Sequence, residues 1–244
     1  MRLFVFFLLA FPALSQAAPC RPDSAPGEDC KAKISRIRPT QFGLGYVDVA
    51  AKRKDLKGSK KKQWQLLKKN PAQLVVGPGG EFYLIDRHHL TRAAWEKGLR
   101  HTRAQIVDNL SHMNEEEFWD TMKARGWVNL RSETGAPRKV SQLPSHVKEL
   151  KDDPYRSLAW VVRQAGGFEK TTIPFAEFDW AEYFRPRIKI GAGEKGWNAA
   201  VKEAIAIAAT SPELPGALDI APTRRPAQAK ECWKKFRRLE LPLP

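Results

Sequence analysis

Asp86-Arg87-His88-His89 sets one carboxylate, one guanidinium and two imidazoles in consecutive positions, with Arg92 a turn further on. That combination suits the docking of a phosphate, provided the backbone brings the groups to one place. The flanking sequence predicts that it does. Leu74-Val75-Val76 and Phe82-Tyr83-Leu84-Ile85 are apolar runs on either side of Gly77-Pro78-Gly79-Gly80, the pattern of a β-hairpin closed by a tight turn. The second strand is expected to end at Asp86, and a helix follows with Leu90, Ala93, Ala94 and Trp95 on its buried side. The four polar residues then lie on a strand-to-helix turn, where free amide groups and the positive end of the helix dipole favour an anion. The competing reading is that Asp86 only caps the helix and the histidines are solvated.

Other stretches carry the same possibility. Gln41-Phe-Gly-Leu-Gly-Tyr is glycine-rich enough to let backbone approach a ligand. Asp153 and Pro154 read as the cap and first residue of a helix from Tyr155 to Ala165, stopped by Gly166-Gly167, with Arg156 and Ser157 in its first turn. Asn114 with Glu117 forms a capping-box pattern, so Glu115 to Glu117 read as structural. Gly191-Ala-Gly-Glu-Lys-Gly196 matches a dinucleotide fingerprint, yet the preceding Arg187-Ile-Lys-Ile is short and charged and no return strand follows the helix, so the match reads as accidental.

The chain has 244 residues, a formal charge of +15 and 42% hydrophobic residues, enough to bury one substantial core and to attract polyanions. Met1 to Ala18 reads as a secretory signal: Arg2, an apolar run Leu3–Leu14, and a small-residue cleavage site, with the signal peptide assigned to residues 1–17. Export to the bacterial periplasm or beyond is therefore expected, with no transmembrane segment in the mature chain. In that oxidising setting Cys20 and Cys30 could close a small loop, with Cys232 a competitor for either; no Cys-x-x-Cys spacing suggests zinc.

The remaining segments read as an irregular leader (18–33), a first strand from Ile34 to Pro39, and helix from Tyr46 to Leu67 broken at Gly58-Ser59. Nine lysines and arginines of that helical stretch and its end surround Trp64, a pattern that suits backbone contacts and base stacking, or a solvated face over a core tryptophan. A buried strand is expected around Gln105-Ile106-Val107, a helix over 118–124, and an aromatic stripe from Phe175 to Phe184 that reads as core. Residues 191–244 form a helical, Pro-rich and basic C-terminal extension. Its Glu231–Arg238 segment would dock either on the domain or on an acidic partner.

Ile85-Asp86-Arg87-His88-His89-Leu90-Thr91-Arg92-Ala93-Ala94 resembles the Asp-Gly-His-His-Arg segment of the ParB-like, or ParB/sulfiredoxin, superfamily. The similar branch is the one named putative ParB-like nuclease. Arg38-Pro-Thr-Gln-Phe-Gly-Leu-Gly-Tyr-Val, Asp153-Pro-Tyr-Arg-Ser-Leu-Ala and Phe175-Ala-Glu-Phe extend the resemblance across residues 34–187. It implies an α+β fold: a small mixed sheet with packed helices over 34–190 and a helical C-terminal extension. It also implies action on phosphate esters, as a nuclease or phosphoesterase, or else a binding module that keeps the phosphate cradle without turnover. Asp86 would be general base or metal ligand, His88 and His89 would bind phosphate or shuttle a proton, and Arg92 and Arg156 would steady developing charge. Thr40, Gln41, Gly45, Arg87 and Ser157 would border the pocket. The implied cofactor is at most a divalent metal such as Mg, and the implied partner a nucleic acid or nucleotide. The family's Gly is Arg87 here and its Arg is Leu90, with Arg92 the candidate replacement. The turn carries no Cys, which argues against sulfinic acid reduction. The catalytic Glu of the superfamily's kinase branch has no match near Gly45, where Asp48 is the nearest acid.

Overall fold

Alternation explains the sheet at the centre of this computed structural model, which describes residues 17–211, 213–219 and 224–239. In β4 (Ala72–Val76), Leu74 and Val76 face one side and Val75 the other, and all three are buried. Its hairpin partner β5 (Phe82–Asp86) repeats the pattern: Phe82 and Leu84 join the first core, Tyr83 and Ile85 the second. Pairing is antiparallel across the expected turn, where Gly79 and Gly80 take positive φ values.

Strands β1 (Asp29–Lys33), β2 (Ile37–Pro39) and β6 (His101–Asn109) complete a five-stranded mixed sheet in the order β1-β6-β4-β5-β2. β6 runs parallel to β4 and antiparallel to β1, and β2 runs parallel to β5. Two-residue strands β3 (Gly43–Leu44) and β7 (Lys151–Asp152) pair in parallel beside it.

Helices α1 (Tyr46–Asp55), α2 (Lys60–Lys69) and α3 (His88–Glu96) cover one face of the sheet. The other face is covered by α4 (Glu115–Ala124), whose Phe118 and Met122 are fully buried under Val75 and Leu110. Its capping box, Asn114 with Glu117, is formed as the sequence predicts. A separate helical core is built by α5 (Pro154–Ala165), α6 (Ala176–Phe184), α7 (Gly193–Ala208) and α8 (Arg225–Phe236). The α+β architecture with a small mixed sheet is the one expected.

Several local expectations are corrected. Residues 18–33 are not wholly irregular: Cys30 and Ala32 point inward and Asp29 and Lys33 outward, so the end of this stretch becomes edge strand β1. The expected strand 34–39 is only β2, because Ile34–Arg36 forms a 3-10 turn. Trp95 is 37% exposed, with its ring edge-on to His146 and the Arg92 guanidinium over it. The C-terminal segment docks on the domain itself, with Cys232 and Phe236 buried in the helical core. Cys20 and Cys30 are joined and Cys232 is free. The accidental fingerprint stays accidental: α7 opens at Gly193 with no strand before it, and Gly191 packs against Gly196 so closely that neither tolerates a Cβ easily. The secretory-signal reading falls on residues 1–16, outside the described residues, and on Ala17 and Ala18.

Candidate functional site

Three helix N-termini meet at the predicted turn. The chain leaves β5 at Asp86, passes through Arg87 in the left-handed region (φ 70°), and enters α3 at His88. Gly45 caps α1, and Asp153 caps α5 by accepting from the Tyr155 and Arg156 amides. A Cβ on Gly45 would stand 2.8 Å from the Ser157 amide nitrogen, so only glycine lets α1 and α5 approach this closely. Ser157 Oγ in turn accepts from the Val47 amide at 3.2 Å. A cleft of about 820 Å³ opens here, lined by Gln41, Asp48, Asp86 to His89, Arg156, Arg163 and the 168–178 segment.

The histidines are held, not free. His88 Nε2 accepts from the Thr40 amide at 3.4 Å, while Thr40 Oγ1 donates to the Leu84 carbonyl. Assigned from this network, the His88 proton sits on Nδ1, and the Leu84 carbonyl accepts it. Burial pushes the His88 pKa down to about 3 against that bond, with Arg156 adding to the depression. His89 Nε2 accepts from the Gly45 amide at 3.1 Å and its Nδ1 faces Asp48 Oδ2 at 3.6 Å. Burial first, then Arg156, hold its pKa well below the ordinary value. Both rings are neutral, and every ring nitrogen has a neighbour. They tie the β5–α3 turn to the Thr40–Gly45 loop.

The acid that meets this pair is Asp48, from the first turn of α1. Burial raises its pKa to about 6, against the pull of Arg156 and Lys52. Its Oδ1 is buried with no hydrogen-bond partner. Across the cleft Arg156 is also buried, its Nε and Nη1 likewise without partners, and its guanidinium lies 5.3 Å over the Phe178 ring. Arg156 Nη2 pairs with Glu177 of α6, and so does Arg163 Nε. Burial would raise the Glu177 pKa, but the two arginines overcome this and hold it below the ordinary value. Native interiors rarely leave buried donors and acceptors unpaired, so such groups facing one cleft are open to water or a polar ligand.

Placed against expectation, His88, His89, Gly45, Gln41, Arg156 and Ser157 do converge. Gln41 is fixed by donating to the Gly43 carbonyl at 2.6 Å. Asp86 and Arg87 line the mouth of the cleft; Asp86 Oδ1 accepts from the Arg87 amide at 2.6 Å and its side chain is mostly solvent-exposed. Arg92 does not line the cleft. Its guanidinium is used up by the carbonyls of Val147, Lys148 and Leu150, by the Tyr46 hydroxyl and by Glu96, so it staples α3 to the 147–150 turn. Trp64 packs on the main core with Lys31 and Arg103 each 5.9 Å from its ring centroid.

Sequence reasoning named Asp48 as the nearest acid without giving it a role, met Glu177 only inside the Phe175-Ala-Glu-Phe stretch, and passed over Arg163. A signal existed for Asp48: an acid in the first turn of a helix that opens on Gly45, where an acid complements the dipole but has no need to be buried. Among the described residues, the two non-glycine residues with positive φ, Arg87 and Phe175, both line this cleft. Backbone strain of that kind tends to collect at functional sites.

No group of three or more His, Cys, Asp or Glu residues stands together as metal ligands among the described residues. Magnesium wants carboxylate oxygens in near-octahedral array. Here the carboxylate near Asp48 is Glu177, which is committed to Arg156 and Arg163, and Lys52 adds a further cation, so the residues present do not fit a divalent metal. No described helix is long and apolar enough to cross a membrane.

No curated protein matches the chain. Among solved structures, the crystal structure of protein Atu1540 from Agrobacterium tumefaciens is similar, with 33% identity and a TM-score of 0.73 over 80% of this chain and 98% of that one. Residues 30–186 match the family described as "Putative ParB-like nuclease", a span that runs from the second residue of β1 through α6 and takes in every cleft residue named above. The chain therefore belongs to the ParB-like family of that description.

Proposed function

We propose that the protein hydrolyses phosphate esters in this cleft, with nucleic acid or a nucleotide as the class its family description points to. One observation carries the reading: Asp48 Oδ1 and Arg156 Nε and Nη1 are buried, unpaired and share one cleft. A phosphoryl oxygen on Arg156 would complete the donors, and a water held by Asp48 would complete the acceptor. An acid with a pKa of about 6 is ionised at neutral pH yet basic enough to accept a proton from that water. The water oxygen then bonds to phosphorus, the ester P–O bond breaks, and the proton on Asp48 passes to the departing alkoxide. Arg156 offsets the charge that gathers on the phosphoryl oxygens. His88 and His89 are positioning residues that fix the turn and the Gly45 amide; Asp86 and Arg87 stand at the mouth.

The test is turnover of a chromogenic phosphodiester. Wild-type kcat/KM should rise with pH through about 6, and Asp48→Asn should lower it by a factor on the order of 10² to 10⁴. Equal activity in the two proteins sinks the reading. The neutral histidines, held by the Thr40 and Gly45 amides, favour a second reading, a cradle that binds phosphate without turning it over. Wild-type protein would then bind the diester and release no product at any pH.

Export belongs to the same proposal. The signal-like residues 1–17 and the Cys20–Cys30 disulfide support a periplasmic or secreted site of action, since such bonds persist in oxidising compartments. A phosphoesterase suits that setting because hydrolysis needs no high-energy donor.

A further inference from the structure

The cleft is not where the excess charge of the chain is spent. The protein carries +15, yet the five cationic residues lining the cleft are matched by five carboxylates. The match matters most at the buried floor. There Glu177 engages both arginines at once, taking Nη2 of Arg156 with one carboxylate oxygen and Nε of Arg163 with the other. All three groups are mostly or wholly buried, so the pairing acts at low dielectric and is poorly screened. Among the buried atoms described, free N–H donors remain on Nε and Nη1 of Arg156 at this floor and on Nε of Arg87 at the mouth. One guanidinium thus keeps two separate N–H positions open, beside a second carboxylate, Asp48.

We infer that Glu177 sets the charge specificity of the cleft, admitting a singly charged phosphodiester and disfavouring a doubly charged phosphomonoester. The inference rests on the phosphate-ester reading of the cleft. The first negative charge of the ligand meets the free N–H groups of Arg156. The second finds no uncommitted guanidinium at the floor, because Arg163 is already neutralised, and it faces Glu177 and Asp48. Glu177 reaches this position from the first turn of α6, directly after Phe175, whose left-handed backbone (φ 57°) turns the chain into the helix. Discrimination of this kind works by repulsion of the wrong ligand as much as by attraction of the right one.

The experiment is calorimetric titration of the full mature chain with dimethyl phosphate and with methyl phosphate at pH 8, where the monoester is a dianion. Wild-type protein should bind the diester more tightly. Glu177→Gln frees a positive charge and should move the monoester-to-diester affinity ratio toward the monoester by about tenfold. Arg163→Gln keeps Glu177 paired with Arg156 and should move the ratio the other way; it decides the matter alone if Glu177→Gln does not fold. A ratio unchanged in these variants, with binding still lost in Arg156→Met, overturns the role of Glu177 and leaves the phosphate site standing. Failure of the wild-type chain to bind either ester, or binding indifferent to Arg156→Met, overturns the phosphate reading and this inference together.

Discussion

Arg87→Gly should make the protein more stable, although it deletes a charged side chain from the mouth of the cleft. Arg87 sits at φ 70°, ψ 26°, where a Cβ crowds the following carbonyl and costs an L-residue about 1–2 kcal/mol. Glycine escapes that cost but loses more freedom on folding, about 0.5–1 kcal/mol. The side-chain contact given up is weak: Arg87 Nε lies 3.7 Å from Asp86 Oδ2 and is buried without a hydrogen-bond partner, while Asp86 is mostly exposed, so about 0–1 kcal/mol is at stake. The 2.6 Å bond from the residue 87 amide to Asp86 Oδ1 needs no side chain and survives. At the midpoints of these ranges the balance is a gain of roughly 0.25 kcal/mol, or about 0.5–1 °C in Tm for a chain of this size. Arg87→Ala is the control, because it loses the same side chain and keeps the crowded Cβ. Scanning calorimetry should rank glycine above alanine, with wild type near alanine. An Arg87→Gly protein that melts at or below Arg87→Ala refutes the strain argument.

Arg92→Leu should cost about 3–5 kcal/mol in chemical denaturation, since it strands three carbonyls and Glu96 around a buried ion pair, while any cleft activity per folded molecule stays unchanged. Gly45→Ala should cost about 1–3 kcal/mol and also lower activity, because its Cβ meets the Ser157 backbone at 2.8 Å and forces α1 from α5. Asp48 and the histidines should pull stability in opposite directions with pH. The Asp48 carboxyl is raised in the fold from 3.8 to about 6, so its contribution is full below pH 3.8 and falls by about 3 kcal/mol as pH rises through 6. His88, lowered to about 3, contributes stability at neutral pH that is lost as pH falls from 6.5 toward 3. Denaturant melts of wild type and Asp48→Asn at pH 4 and pH 8 separate the two: the variant should gain relative to wild type at the higher pH.

The hairpin, the strand-to-helix turn and the capped helix after Asp153 were legible because each depends on neighbours in sequence: glycines in a turn, an acid before a proline, apolar residues at regular spacing. The helical C-terminus was legible as helix, though not where it docks. The cleft was legible only on the side written by the Asp-x-His-His turn. Its other side depends on contacts across long separations, Asp48 with His89, and Arg156 and Arg163 with Glu177. Glu177 looked like one acid in an aromatic core stripe, and only the approach of α6 to α5 gives it a role. Arg92 misled for the opposite reason. A guanidinium near a phosphate-like turn reads as a ligand, but helical geometry carries it round to the carbonyls of the 147–150 turn. Arg87 shows how a residue can hold a backbone its type disfavours: where the resemblance implies glycine, it still adopts a glycine-like conformation.

Asp48 and Arg156 are held to be the working pair of an anion cleft, one handling a proton and the other the charge. Diester affinity and turnover measured side by side for wild type, Asp48→Asn and Arg156→Met test this most directly. Loss of the carboxylate should tighten binding while abolishing turnover, and loss of the guanidinium should abolish both. Should the two substitutions change affinity in the same direction, or leave it where it was, the pair does not face the ligand and the account is wrong.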